Sequence, residues 1–206
     1  MGRHTGPVCK QCRREGVKLF LKGEKCYSAK CPFVKRSYAP GQHGQATKRP
    51  SEFGVRLREK QKARRIYGLS ERQFRRYFQL ASKAKGNTGG KLLELLERRL
   101  DNVIWRVGLA VSRSQGRQFV RDGHIKVNGR KVSIPSFSVK AGDILSVREK
   151  SAENVKKIIE KTKERTVPGW MSFDTEKFEG KIEMIPQRQD IDALIEEHLI
   201  VEFYSR

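Results

Sequence analysis

The chain has 206 residues, and its 45 lysines and arginines outnumber its 23 aspartates and glutamates to give a formal net charge of +22. This length is enough for one or two domains with a buried core. No stretch approaches the ~20 consecutive apolar residues of a membrane span, and no signal peptide is evident, so we expect neither a membrane protein nor an exported one. Self-repulsion at this charge opposes a compact state, which predicts a polyanionic partner whose counterions are released on binding.

The positive charge is concentrated in the first three quarters of the sequence. Residues 1–65 carry a net charge of +14 and residues 66–150 carry +11, whereas residues 151–206 carry −3. We therefore expect the polyanion to be bound by residues 1–150, and the last segment to pack against the rest of the protein.

All four cysteines lie in the first 31 residues, in two closely spaced pairs, Cys9 with Cys12 and Cys26 with Cys31. Two such pairs can place four thiolates tetrahedrally around one ion, and zinc suits four sulfur ligands. We expect one structural Zn²⁺ ion, because four thiolates leave no position for a catalytic water. An iron–sulfur cluster is the alternative, and four thiols without metal are the ordinary interpretation, which the pairing disfavours. The surrounding lysines and arginines are expected to lower the thiol pKa values.

A helix is predicted from Ser51, after a loop over residues 37–50 in which Pro40 and Gly41 indicate a turn. Six cations crowd ten residues of this helix, with Glu59 as the one acid among them. A charge run of this kind is often a solvated helix face, but its self-repulsion favours contact with phosphates. The polyanion contacts predicted here are Arg56, Arg58, Lys60, Lys62, Arg64 and Arg65.

The next predicted helix opens with a capping-box pattern formed by Ser70 and Gln73. Its aromatic residues recur at a spacing of three to four, which predicts a buried stripe rather than a platform for stacking bases. The positions between them are basic, and the contacts predicted there are Arg72, Arg75 and Arg76.

A helix predicted over residues 91–107 ends at Gly108, and a second capping box at Ser112 opens another helix that stops at Gly123. Three arginines recur on this last helix at every fourth position and form one stripe. They are Arg113, Arg117 and Arg121.

A β-hairpin with a primed turn is predicted at Asn128-Gly129, and residues 144–147 close a small antiparallel sheet. The arginine stripe alone is compatible with ordinary surface charge. Beside a hairpin that carries Lys126, Arg130 and Lys131, it forms a continuous basic ledge. Such a ledge suits a folded RNA, which proteins recognise mainly by shape, phosphates and 2′-hydroxyls.

An ordered series of segments resembles the bacterial small-subunit ribosomal protein S-four family, in its zinc-binding, cysteine-containing subset. The segments are residues 9–31, 40–44, 56–62, 65–68, 99–129 and 202–206. Within the segments that match, we expect further RNA contacts from Gln42, His43, Ser112, Gln115, His124 and Asn128.

The resemblance implies an α+β fold, with a mostly helical domain, an inserted module of a helix and a small antiparallel sheet, and an N-terminal zinc-bound segment. The expected boundaries are a zinc-binding segment at 1–45, a helical rRNA-binding domain at 46–98 completed by 190–206, an RNA-binding module at 99–165, and a C-terminal segment at 166–206 that packs back on the core.

The family resemblance also implies a function. Its members are structural constituents of the small ribosomal subunit that bind the 5′ domain of 16S rRNA early in assembly and contribute to translational accuracy. The implied neighbours are proteins S-five and S-twelve and the messenger RNA near its entry channel, with no small-molecule substrate. The implied location is cytoplasmic and ribosome-bound.

Two alternatives belong to other classes. A zinc-dependent DNA-binding regulator would need a base-reading helix and usually repeated modules, and the sequence has one cysteine cluster and no repeat. An RNA-modifying enzyme would need a catalytic motif, and none is found. Gly90-Lys91 hints at a phosphate loop, but Leu92 stands where a magnesium-binding Ser or Thr is required. We therefore expect no enzyme.

Overall fold

The computed structural model describes residues 4–46, 49–162, 165–191 and 194–205. The chain divides into two compact units: residues 1–92 together with 193–206 form unit 1, and residues 93–192 form unit 2. Unit 1 is therefore discontinuous in sequence. Within the described ranges, no helix has the length and apolar character needed to cross a membrane.

Unit 1 is helical. Its elements are α1 (Cys9–Glu15), α2 (Glu24–Tyr27), α3 (Pro32–Lys35), α4 (Glu52–Ile66), α5 (Glu71–Lys83), the first half of α6 (Thr88–Glu97) and α10 (Glu197–Tyr204). The hydroxyl of Ser51 accepts a hydrogen bond from the backbone N–H of Gly54 at 3.2 Å, and that of Ser70 accepts one from Gln73 at 3.4 Å. These caps satisfy N–H groups that a helix start leaves without partners, and they confirm both predicted helix starts.

Helix α10 completes unit 1 by packing on α4. Ile200 is fully buried, and the ring of Tyr204 stacks on that of Phe78 with centroids 4.5 Å apart. The backbone N–H of Glu196 donates to the Glu59 carboxylate at 2.8 Å. The packing of α4 therefore depends on a segment that follows unit 2 in the sequence.

Unit 2 combines helices with a five-stranded antiparallel sheet of order β2-β1-β3-β5-β4. Its elements are α7 (Leu100–Arg106), α8 (Arg113–Arg121), β1 (Ile125–Val127), β2 (Arg130–Lys131), β3 (Ile144–Val147), α9 (Ala152–Thr162), β4 (Met171–Asp174) and β5 (Glu179–Ile182). One apolar cluster joins α7, α8, α9 and the sheet, and Trp170 is among its fully buried side chains.

The predicted β-hairpin is confirmed. Val127 pairs with Arg130, and the two residues between them have positive φ angles, 49° for Asn128 and 76° for Gly129. A primed turn needs this backbone conformation at both central positions, and asparagine and glycine tolerate it best.

The single helix expected over residues 91–107 is wrong, because the chain is extended at Arg99 (φ −68°, ψ 133°) between α6 and α7. The backbone N–H of Leu100 donates to the carbonyl of Phe137 at 2.8 Å, and that of Val139 donates to the carbonyl of Arg98 at 2.9 Å. Pairing with residues 137–139 therefore overrides the helical pattern of the local sequence.

The sheet of unit 2 also extends beyond residue 165, where we expected the inserted module to end. The hairpin of β4 and β5 adds two strands, with Leu145 of β3 opposite Gly180 of β5. Residues 171–182 thus belong to the sheet of unit 2, and it is α10 that packs in unit 1.

Candidate nucleic-acid interface

The outer face of α5 carries cations with no acidic partner. Arg72, Arg75 and Arg76 are exposed, as is Lys83 two turns further along the same face. No acidic side chain in the described parts of the chain forms an ion pair with any of these four residues. Their spacing of three, four and seven residues keeps them on one side of the helix, while Phe74 and Ala81 on the other side are fully buried.

The cations of α4 are placed differently, because each one contacts an acidic or amide side chain of unit 1. The partners are Glu202 for Arg56 (2.6 Å), Glu15 for Arg58 (3.4 Å) and for Arg65, Glu71 for Lys60 (2.8 Å), Glu59 for Lys62 (2.7 Å) and Gln61 for Arg64 (2.7 Å). These six residues were predicted as RNA contacts, and in the structure they also form ion pairs or hydrogen bonds within the protein.

Lys60 is the most enclosed of the predicted contacts, with 4% of its surface exposed. Its ammonium lies 4.6 Å from the ring centroid of Phe203 and donates a hydrogen bond to Glu71. Burial of Glu71 opposes its ionisation, but the hydrogen bonds from Lys60 and Tyr204 outweigh this effect and leave the pKa of Glu71 below its ordinary value. Lys60 thus has almost no surface left for a phosphate.

Glu15 ties the cysteine-containing segment to α4. Its side chain is 1% exposed and pairs with Arg58 and Arg65. Burial raises the pKa of Glu15, and the two guanidinium groups act against that increase. One carboxylate oxygen, Oε2, has no hydrogen-bond partner among the described residues. The paired residues are 43 and 50 positions apart in the sequence, so local sequence patterns could not predict these ion pairs.

The four cysteines come into one neighbourhood, where Cys12, Cys26 and Cys31 are buried and Cys9 is half-buried. Burial raises the pKa of Cys12 and of Cys26, and negative charge on the other cysteines adds to the effect. The net pKa of both thiols is therefore raised and not lowered as we expected, because loss of solvation dominates. Lys18 does lower the pKa of Cys26, but it does not offset the effect of burial.

Four thiols are a donor set that Zn²⁺ prefers. The backbone N–H of Lys22 also donates to the sulfur of Cys26 at 3.3 Å. In the described parts of the chain, however, no three cysteine, histidine or acidic side chains are arranged as ligands of one ion. Zinc binding by this segment stays a prediction.

The loop that follows α3 presents Gln42 and His43, and both side chains are exposed. The guanidinium of Arg13 in α1 donates to the carbonyl oxygens of Tyr38 and Ala39 at 2.9 and 3.4 Å. Two of the predicted RNA contacts therefore lie on a loop that is fastened to α1. Arg13 itself was not among the predicted residues, because no local pattern links positions 25 residues apart.

In unit 2, the first part of the arginine stripe on α8 turns toward α7. Arg113 donates to the side chain of Asn102 at 2.7 Å, and its guanidinium lies 3.7 Å from the ring centroid of Trp105. Arg117 pairs with Asp101 at 3.4 Å and its side chain is 11% exposed. Of the three predicted arginines, Arg121 is the exposed one.

The predicted polar contacts at the start of α8 form its cap. The hydroxyl of Ser112 accepts from the backbone N–H of Gln115 at 3.3 Å, and the side-chain oxygen of Gln115 accepts from Val111 at 2.8 Å. The cap that the sequence predicts at Ser112 is confirmed, and it fixes where α8 begins.

Two further predicted contacts brace the hairpin and its approach. The side chain of Asn128 donates to Asp143 and accepts from the backbone N–H of Ile144, both at 2.9 Å. The ring of His124 lies 2.7 Å from the Ser151 hydroxyl through its Nδ1 atom. Both residues hold neighbouring segments together within unit 2.

Several exposed cations of unit 2 lie at the hairpin and at the end of α8. Arg130 and Lys131 are exposed, Lys126 is half-buried, and Lys126 lies directly opposite Lys131 in the strand pair. Lys131 also reaches the end of α8, since a Cβ atom at Gly123 would lie 2.2 Å from its Cε atom. With Arg121, these residues form what we call the hairpin ledge.

Comparison with known proteins finds relatives that match the chain over its whole length. The family model for the ribosomal protein S4/S9 N-terminal domain matches residues 3–97, and that for the S4 domain matches residues 98–145. A small ribosomal subunit protein uS4A of Symbiobacterium thermophilum is 58% identical over 207 residues, covering all of both chains. The uS4 proteins of Desulforamulus reducens and Pelotomaculum thermopropionicum are each 56% identical over 208 residues, again at full coverage. The chain belongs to the uS4 family of small ribosomal subunit proteins.

The two uS4 family matches meet at residues 97 and 98, where the chain leaves α6. The S4 domain match covers α7, α8, the β1–β2 hairpin and the start of β3, which includes the hairpin ledge. The N-terminal match covers the cysteines, α4 and α5. Both exposed sets of cations therefore lie within segments that are characteristic of the family.

Proposed function

We propose that the chain is a structural, non-catalytic constituent of the small ribosomal subunit that binds 16S rRNA through the α5 face and the hairpin ledge. The observation that carries this proposal is a group of exposed cations on α5 and the hairpin ledge that have no acidic partner in the described residues. They are Arg72, Arg75, Arg76, Arg121, Arg130 and Lys131. Cations on rigid helices and a tight hairpin suit a folded RNA, which presents phosphates and 2′-hydroxyls in fixed positions.

The names of the relatives support the same proposal, because they describe components of the small ribosomal subunit. The family resemblance adds the finer features: binding to the 5′ domain of 16S rRNA, a role in starting assembly, and a contribution to accuracy beside proteins S-five and S-twelve and the entering messenger RNA. On this proposal the chain is bound to the ribosome and takes no small-molecule substrate.

Zinc is a second part of the proposal. Cys9, Cys12, Cys26 and Cys31 would hold one Zn²⁺ ion, which would supply folding free energy to a segment with few large apolar residues. Metal analysis of the purified protein should give one zinc per chain, and replacement of Cys12 and Cys26 by serine should remove it. Iron with acid-labile sulfide would favour the cluster alternative, and a metal-free protein of unchanged stability would exclude both.

The decisive experiment is a salt-series binding assay with the full chain, using 16S rRNA and an unrelated RNA of equal length. Because specific binding adds to the counterion term, we expect tighter binding to 16S rRNA at physiological salt. Equal binding to both RNAs that disappears together as salt rises would reduce the protein to a non-specific polycation. A preference for duplex DNA at matched salt would favour the DNA-binding alternative.

A further inference from the structure

The loop at residues 38–46 has an exposed tip and a fixed base. Gln42 and His43 are exposed, and within the loop the backbone N–H of Ala46 donates to the carbonyl of His43 at 3.1 Å. No hydrogen bond, ion pair or ring contact of the Gln42 or His43 side chain is found in the described part of the chain. The orientation of the tip is therefore set by what fastens its base.

Arg13 makes the contacts that fasten the base. Its Nε atom donates to the carbonyl of Tyr38 at 2.9 Å, its Nη2 atom donates to that of Ala39 at 3.4 Å, and its guanidinium carbon lies 5.1 Å from the centroid of the Tyr38 ring. A planar guanidinium can reach two adjacent carbonyls and an aromatic face together, whereas a lysine ammonium has no such geometry. The side chain thus holds two successive peptide units in one orientation.

The carbonyl oxygen of Ala39 also lies close to the returning part of the loop at Gly44. A Cβ atom at Gly44 would lie 1.9 Å from the carbonyl oxygen of Ala39, so the loop returns on itself in close backbone contact. The backbone N–H of Gly44 also donates to the carbonyl of Gly41 at 3.2 Å. The Ala39 peptide is therefore the point at which Arg13 and the returning chain meet.

We propose that Arg13 is a positioning residue for RNA binding, an inference that rests on the proposed rRNA-binding function. It orients the exposed Gln42–His43 tip through the Ala39 peptide, without contacting a phosphate itself. Arg13 belongs to α1, next to Cys12, and Glu15 in the same helix pairs with Arg58 and Arg65 of α4. The position of the tip relative to α4 is thereby fixed through contacts of α1.

A positioning role has a signature that separates it from a direct ionic contact. A lost phosphate contact lowers the slope of log affinity against log salt by about 0.7–0.9. The loss of an indirect contact lowers affinity but leaves that slope unchanged, because no additional counterion is retained. It also makes the effects of Arg13 and His43 strongly non-additive, since both act through one tip.

The test measures the affinity of the full chain for 16S rRNA over a salt series, for Arg13→Ala, His43→Ala and the double variant. We expect Arg13→Ala to lower affinity by about five- to tenfold with an unchanged salt slope. In the Arg13→Ala background, the further change to His43→Ala should have almost no effect. The control is Arg14→Ala, which removes an exposed charge from the same helix.

Two further variants cover the case in which Arg13→Ala does not fold. Arg13→Lys retains the charge but not the two-carbonyl geometry, and Gly44→Ala disturbs the Ala39 peptide without changing any charge. Both should reproduce the loss of affinity at an unchanged salt slope.

Additive effects of Arg13→Ala and His43→Ala, or a slope that falls with Arg13→Ala, would overturn the positioning role. Full affinity in Arg13→Lys or Gly44→Ala would also overturn it. If the unaltered protein itself does not prefer 16S rRNA, it is the proposed function that fails, and this outcome is visible before any variant is compared.

Discussion

Helices α4 and α5 follow one another in unit 1 and are both rich in lysine and arginine, but the fold uses their charges in different ways. The six cations of α4 contact side chains of the protein, whereas Arg72, Arg75 and Arg76 of α5 are exposed and have no acidic partner among the described residues. The acids that reach α4 come from α1, α5 and α10 as well as from α4 itself.

A basic helix is therefore not by itself a nucleic-acid surface. Ion pairs within the protein use a cation for stability, and the local sequence does not contain the partner. On the proposed function, the cations without acidic partners are the ones whose mutual repulsion RNA would relieve. Experiments that measure stability separately from salt-dependent binding test this contrast between α4 and α5.

The largest effect is expected for Glu15→Ala. This change removes the buried side chain that packs between the segments and pairs with Arg58 and Arg65, and the free energy of unfolding of unit 1 should fall by about 2–4 kcal/mol. Burial disfavours the charge of Glu15, so the loss comes mainly from packing and from the hydrogen bonds to the two guanidinium groups. Denaturant unfolding measures it, and Glu52→Ala is the matched control, because Glu52 also pairs with an α4 arginine but is 81% exposed. Equal losses in the two variants would show that the Glu15 pairs contribute no more than surface ion pairs.

The next effect is a loss of binding when Arg72, Arg75 and Arg76 are all replaced by alanine. The salt slope for 16S rRNA should fall by about two, and affinity at physiological salt should fall on the order of tenfold to a hundredfold. Stability should hardly change, because the three side chains are exposed. Arg56→Ala serves as the comparison in α4, and a fall in its slope as large as the average per arginine of α5 would refute the contrast.

The same contrast is expected within α8 of unit 2. Arg121→Ala should lower the salt slope by a little under one without affecting stability. Arg117→Ala should instead lower the free energy of unfolding by about 1–3 kcal/mol, because it leaves the buried Asp101 with one ion-pair partner fewer. If Arg117→Ala changes only the slope, the prediction of a direct RNA contact at this position is correct.

The smallest effect is expected for Glu71→Gln, in the loss of stability at low pH. The pKa of Glu71 lies below its ordinary value of 4.5 in the folded protein, so its contribution to stability is present above that value and is lost as pH falls through the folded pKa. The stability of unit 1, measured between about pH 6 and pH 3, should therefore decline less steeply in Glu71→Gln than in the unaltered protein. An equally steep decline in the variant and in the unaltered protein would mean that other groups determine the loss of stability at low pH.

Features set by neighbouring residues could be predicted from the sequence. The serine caps at Ser51, Ser70 and Ser112 and the turn at Asn128-Gly129 depend on a few adjacent positions, and all are present in the structure. Their chemistry is local, since a hydroxyl reaches an N–H three positions away and positive φ angles favour asparagine and glycine.

Features set by distant contacts could not be predicted. The break at Arg99 requires residues 137–139, and the turn between β4 and β5 has Phe178 at a positive φ of 52°, where no glycine marks it. The contact of Arg113 with Asn102 and Trp105 needs the packing of α8 on α7. In the candidate site, the sequence identified the basic segments, but not which of their charges face outward.

The packing of α10 on α4 has a consequence for the order of events on a translating ribosome. Residues 195–204 are synthesised after all of unit 2, so α4 and α5 of the nascent chain are made before α10 can pack on them. In the finished protein, Tyr204 of α10 stacks on Phe78, and the Lys60 ammonium lies over the rings of Phe203 and Tyr204. Unit 2 has its full sequence earlier and can fold first. Chains cut short before α10 would contain the complete hairpin ledge of unit 2 together with a unit 1 whose apolar surface on α4 and α5 is uncovered.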